Sequence, residues 1–234
     1  MDDYPPIADH GLVGDLQTAA LIAADGTVDW WCTPRFDSPS VFASLLDSDR
    51  GGHCRLTADV EEEVTVRQLY LADTAILVTR YMAPDGVGEV VDFMEADPST
   101  TPSASHCLVR VARVVRGSLP FELICRPRFD YGRAEHLLDR LDDGSVVFHG
   151  PDTDLHLQAT APAELHLDGS DATARFTLHA GEQVAIVLTS ESGDAAARSG
   201  RPGGPAPDIK AITAAFHACR AFWLTWLRSC RYGG

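Results

Sequence analysis

The sequence predicts a mainly β fold, an antiparallel sandwich or barrel, followed by one C-terminal helix. Short apolar runs recur through residues 1–191, separated at close intervals by Gly, Pro and Asp turn chemistry. Nowhere do strand-like runs alternate with helical ones, as a parallel β-α-β sheet would require. The apolar period becomes helical only after residue 207.

Taken in order, Thr18–Ala23 and Thr27–Cys32 are joined through Ala24-Asp25-Gly26, and Asp-Gly between two apolar runs is a strong hairpin signal. Val64–Tyr70 alternates in part. Ala75–Met82 and Val87–Met94 flank a second turn, Ala83-Pro84-Asp85-Gly86. Cys107–Val115 and Leu119–Cys125 meet at Arg116-Gly117-Ser118, which reads as another turn. Ser145–His149, Leu155–Ala159, Glu164–Leu167, Ala174–His179 and Glu182–Ser190 bring the total to about a dozen strands. Pro98–Ser105 reads as a polar loop.

Residues 192–207 are punctuated by Gly and Pro and carry no apolar period, which predicts a linker. Asp208 then stands where a helix wants an N-cap. Ile209, Ile212, Phe216, Cys219, Trp223, Trp226 and Cys230 follow in alternating steps of three and four, one helical stripe that Phe222 and Leu227 widen. The stripe ends at Gly233-Gly234. Two tryptophans on a terminal helix are costly to leave wet. The helix can therefore dock on its own sandwich, pair with a second chain or fray. The expected interface residues are Phe216, Trp223 and Trp226, and the expected partner is a second copy in a homodimer. Residues 198–234 carry a net charge of +5 and residues 1–197 a net −20, so the two parts attract.

The whole chain, 234 residues with a formal charge of −15, is a poor partner for nucleic acid or an anionic membrane. No apolar run is long enough to span a bilayer. The opening Met1-Asp2-Asp3-Tyr4-Pro5-Pro6 lacks the basic and apolar regions of a secretory leader, so a cytoplasmic location is expected. The six cysteines show no C-x-x-C pair and read as free thiols. The nine histidines fall in no metal-ligand spacing, and no metal or cofactor is expected. Glu61-Glu62-Glu63 and Asp142-Asp143 read as solvated acidic runs. No nucleophile elbow, phosphate loop, dinucleotide fingerprint or zinc-protease motif is present, and no catalytic residue is assigned.

One motif stands apart. Pro-Arg-Phe-Asp occurs twice, at Pro34–Asp37 and Pro127–Asp130, each time directly after a strand. Proline ends a ladder, and an Arg and an Asp two residues apart in extended chain point to one side. Such a loop either locks itself with an ion pair or offers donors, acceptors and an aromatic face to a sugar.

The stretch IADHGLVGDLQTAALIAADGTVDWWCTPRFDSPSVFASLLD (Ile7–Asp47) resembles the opening of bacterial trehalases and glucoamylases of glycoside hydrolase family 15. RQLYLADTAILVTRYMAPDGVGEVVDFM (Arg67–Met94), RPRFDYGR (Arg126–Arg133) and the segment Thr213–Gly234 continue the resemblance. It implies an N-terminal antiparallel β-sandwich (a super-sandwich) over 1–191, a linker at 192–207 and a linker helix over 208–234. An (α/α)6 barrel would follow, hydrolysing α-glucosidic bonds with inversion by means of two carboxylates. Neither carboxylate matches a position here, so the chain is expected to be inactive alone. The resemblance implies that it scaffolds its own barrel domain and shapes the active-site mouth, meeting an α-glucoside only in the full-length context. Trp31, Arg35, Phe36 and Asp37 are the expected residues at that mouth or domain interface. Arg128, Asp130 and Tyr131 are assigned to a structural loop. The alternative is a free-standing carbohydrate-binding or oligomerising module.

Overall fold

The computed structural model describes residues 4–61, 63–96, 105–192 and 208–229. Fifteen strands among them, every pair antiparallel, form two facing layers. The first layer contains β1 (His10–Gly14), β2 (Ala19–Ala23), β3 (Thr27–Cys32), β4 (Ser40–Phe42), β5 (His53–Ala58), β13 (His166–Asp168) and β14 (Asp171–His179). The second contains β6 (Thr65–Tyr70), β7 (Leu77–Ala83), β8 (Gly86–Met94), β10 (Leu137–Arg140), β11 (Val146–His149), β12 (Thr153–Ala159) and β15 (Gln183–Ser192). The long β9 (Ser105–Arg126) belongs to both. Its first half lies between β8 and β15, and its second half between β5 and β14.

The β2–β3 and β7–β8 hairpins form as their turn residues require, with Gly26 at φ 89°. Arg116-Gly117-Ser118 does not close a hairpin, contrary to expectation. Gly117, at φ 73°, lets one strand leave the second layer and enter the first, and a Cβ there would collide with the Asp85 carbonyl. The short strands β1, β4, β5 and β10 carry no sequence signal that separates them from loops.

The core lies between the layers. Along β15, Val184, Ile186 and Leu188 point into it, while Ala185 and Val187 point outward. That outer face is also buried. Ile76, Val78, Val91, Phe93, Val109 and Val111 join Ala185 and Val187 beneath the C-terminal helix. The helix spans Ile209–Ser229 and is labelled α2, after the single turn α1 (Phe129–Gly132). Asp208 caps it, its Oδ1 accepting from Ala211 N at 2.7 Å. Ile212, Cys219 and Trp223 are buried on the sheet, Phe216 sits edge-on to Phe93 at 5.9 Å, and the Cys219 thiol donates to the Met94 carbonyl. Of the three outcomes open to this helix, the structure shows docking on its own sandwich. Phe216 and Trp223 are spent on that contact, whereas Trp226 and Leu227 remain exposed. Residues 193–207 of the expected 192–207 linker, Glu62, most of the Pro98–Ser105 loop, and Cys230 to Gly234 lie outside the described residues, while Ser192 ends β15.

An ion pair is sealed in the core. Arg110 donates to Asp92 Oδ1 at 2.7 Å and to the carbonyls of Cys54 and Gly26. Those carbonyls belong to the first layer and Arg110 to the second, so the guanidinium bolts the layers together.

Candidate domain-interface site

Both copies of Pro-Arg-Phe-Asp come to the same region, but they are built differently. The first loop leaves β3 through Thr33, whose hydroxyl hydrogen-bonds that of Ser190 on β15, tying the loop base to the second layer. After a cis Thr33–Pro34 bond, Arg35 Nε and Nη2 donate to the two carboxylate oxygens of Asp37 at 2.8 and 3.1 Å. This bidentate pair holds the Asp37 carboxyl below its usual range. It is solvated, with side chains 74% and 72% exposed, so it shapes the loop more than it stabilises the fold. The Ser38 hydroxyl accepts from Arg35 N, and Phe36 projects outward, 63% exposed. A phenyl ring held outward on a braced loop has no core role.

Trp31 does not join these residues. It is fully buried and stacks on Phe42 at 6.3 Å. The cause is a bulge between Leu21 and Ile22 in the β2–β3 pairing, which sets which face each residue of β3 meets. The partly exposed neighbour, Trp30, is the one that reaches the site.

The second copy folds into α1. Asp130, Tyr131 and Gly132 take consecutive positive φ values of 51°, 58° and 75°. Two non-glycine residues in that region is a costly arrangement that surrounding contacts must hold. They do so on every side. Arg128 N donates to the Val41 carbonyl at 2.9 Å, and Tyr131 N to Ser40 Oγ at 3.0 Å. Arg128 Nη1 reaches Asp171 Oδ1 at 2.7 Å, and Arg126 Nε reaches Asp171 Oδ2 at 2.9 Å, which pins the start of β14. Phe129 is buried. Asp130 accepts from Arg133 at 2.6 Å rather than fastening a strand end. Arg128 thus braces the start of β14, whereas Asp130 closes its own turn.

Tyr131 is half in this framework and half out. Its ring lies 6.1 Å from Trp30, and the Arg133 guanidinium sits 5.5 Å from its centroid. The ring is nevertheless 39% exposed. The two loops meet across a small cleft bounded by Thr33, Pro39, Ser40, Phe129, Asp130 and Asp152. The missed signal was the Trp-Trp pair itself, since one of two adjacent strand residues must face outward.

Among the described residues no group of three His, Cys, Asp or Glu side chains is placed to hold a metal ion. Two His–Asp pairs, His10–Asp29 at 2.6 Å and His106–Asp15 at 2.5 Å, are buried between elements. They fasten β1 to β3 and the β1–β2 turn to β9. No described helix is long and apolar enough to cross a membrane.

Residues 2–211 match the family described as trehalase-like, N-terminal. The chain is 33% identical over 206 residues to a trehalase of Mycolicibacterium smegmatis, covering 80% of this chain and 30% of that protein. It is 31% identical over 209 residues to a trehalase of Mycobacterium tuberculosis, with the same coverage. Trehalase 1 of Sulfolobus acidocaldarius is 34% identical over 141 residues, 60% of this chain and 23% of that protein. The chain thus spans less than a third of the length of the relatives it matches. With a match over nearly all of its length and a two-layer antiparallel fold, it belongs to the trehalase-like N-terminal family.

Proposed function

We propose that this domain is the non-catalytic N-terminal module of a glycoside hydrolase family 15 enzyme of trehalase or glucoamylase type. It scaffolds a catalytic (α/α)6 barrel and forms one wall of the mouth through which an α-glucoside enters. The observation that carries this reading is the first Pro-Arg-Phe-Asp loop. Phe36 is held outward between the arms of a bidentate Arg35–Asp37 pair, in a chain that matches under a third of a trehalase. Exposed aromatics on rigid loops make good anchors at interfaces, because little entropy is lost when they are covered. The strained α1 turn supports the loop from beside it and offers Tyr131 to the same partner.

The test joins this chain to the remaining part of the Mycolicibacterium smegmatis trehalase, in place of that protein's matched segment. The chain alone should release no glucose from trehalose or maltose, and the joined protein should hydrolyse trehalose. Phe36→Ala and Arg35→Ala should each lower kcat/KM about tenfold, roughly 1.4 kcal/mol, while the melting temperature stays within a degree or so of the parent, because both side chains are exposed. Activity that falls only in step with stability would make the loop structural. A folded joined protein no more active than the catalytic part alone would reject the scaffold reading.

A further inference from the structure

Cys54 on β5 and Cys125 on β9 stand directly opposite each other in the antiparallel register, and both point into the core. Opposed residues in such a ladder have Cα atoms about 4.5–5.5 Å apart, within the 4.4–6.8 Å that a disulfide spans. Arg110 Nη1 lies 3.9 Å from Cys54 Sγ, with Asp92 behind it. The pair is therefore asymmetric. The neighbouring Cys125 thiol and, against the cost of burial, the Arg110 guanidinium favour a Cys54 thiolate. Burial and the neighbouring Cys54 keep Cys125 protonated. Of the other described cysteines, Cys219 is engaged elsewhere, its thiol donating to the Met94 carbonyl.

We propose that Cys54 and Cys125 are a peroxide-oxidisable dithiol that closes to a reversible cross-strand disulfide. The Cys54 thiolate attacks one oxygen of hydrogen peroxide, giving a sulfenic acid and hydroxide, which takes up a proton to become water. The Cys125 sulfur then attacks Cys54 Sγ. The sulfenic hydroxyl leaves with the Cys125 proton as a second water, so two thiols and one peroxide become one disulfide and two waters. Both sulfurs are fully buried. That burial excludes a bulky disulfide such as oxidised glutathione and restricts the oxidant to one as small as hydrogen peroxide. The bond would staple β5 to β9 one residue before Arg126, whose pairing with Asp171 begins the support of the α1 turn. Gly52, two residues before Cys54, already abuts the Arg126 carbonyl and the Arg128 side chain. Oxidation would thus stiffen the base of the strained turn beside the first loop.

The full chain is exposed to hydrogen peroxide or to oxidised glutathione, alkylated and digested with trypsin. Peroxide should join the peptide Gly51–Arg55 to Gly117–Arg128 in a species two hydrogens lighter than their sum. Dithiothreitol should separate them, and oxidised glutathione should leave both alkylated. In Cys125→Ser a dimedone adduct should appear on Cys54. In Cys54→Ser none should appear on Cys125. Recovery of both peptides fully alkylated after peroxide has oxidised the methionines would overturn the proposal. So would cross-links that mainly involve the other cysteines, or equal oxidation by glutathione disulfide.

Discussion

His156 shows at the level of one side chain how burial sets a pH limit on this fold. It stands on β12 with 1% of its surface exposed, and burial pushes its pKa down to about 4. The Asp154 carboxylate opposes that shift, His149 assists it, and Glu191 Oε2 lies 3.9 Å from Nε2. An unfolded histidine titrates near 6.5, so between pH 6.5 and 4 the unfolded chain binds the extra proton. Stability therefore rises with pH across that window and is lost as pH falls through it, by on the order of 3 kcal/mol in total. Urea midpoints between pH 7 and 4.5 should fall accordingly, and His156→Gln should flatten the slope. An unchanged slope would mean that another group carries it. The two tryptophans of β3 mark the limit of reading at this scale. Alternation says that Trp30 and Trp31 face opposite ways, but which one faces the core depends on the bulge between Leu21 and Ile22. The extra residue is Asp29 of β3, between Val28 opposite Ile22 and Trp30 opposite Leu21, and an Asp in a strand does not announce a bulge. The Arg35–Asp37 pair is legible because a solvated loop carries its own local chemistry. Tyr131 was legible only as structure, since its exposure follows from a left-handed turn held by distant residues.

Elements were legible where local turn chemistry and a single buried face coincide. Ala-Asp-Gly and Pro-Asp-Gly placed the β2–β3 and β7–β8 hairpins to within two residues. Arg-Gly-Ser at 116–118 has the same chemistry, yet it bends one strand between layers. A left-handed glycine serves a hairpin and a corner equally, and only the partner strands distinguish them. Val-Ala-Ile-Val-Leu on β15 is a continuous apolar run, and Val-Val-Asp-Phe-Met on β8 is broken only by the ion-paired Asp92, because both faces of these strands are covered. The cover is α2, and Trp223 is its deepest large side chain. Trp223→Ala should cost about 3–5 kcal/mol in denaturant unfolding, through lost burial and the cavity over Val109 and Val187. Trp226→Ala should cost well under 1 kcal/mol. Equal costs would mean that the helix does not rest on this sheet.

For the whole molecule, the question is what remains for a second copy to hold. A stable interface buries about 1,600 Å² in total, and a tryptophan offers about 200 Å². The helical stripe that suggested a homodimer has Ile212, Cys219 and Trp223 turned onto its own sheet, leaving Trp226 and Leu227 outward. Two such residues on each chain fall well short of that area. An exchange of helices would first have to uncover Ile76, Phe93, Val109 and Val187, and the formal charge of −15 adds repulsion between copies. The intact chain should therefore sediment as a monomer at micromolar concentration in both low and high salt. A chain ending at Ser192 should self-associate, because its outer apolar face has lost its cover. A dimer of the intact chain that Trp226→Ala dissolves would instead place the helix between two copies. A dimer indifferent to that change would lie on another face, of which the exposed Phe36 loop is the first to probe by mutation.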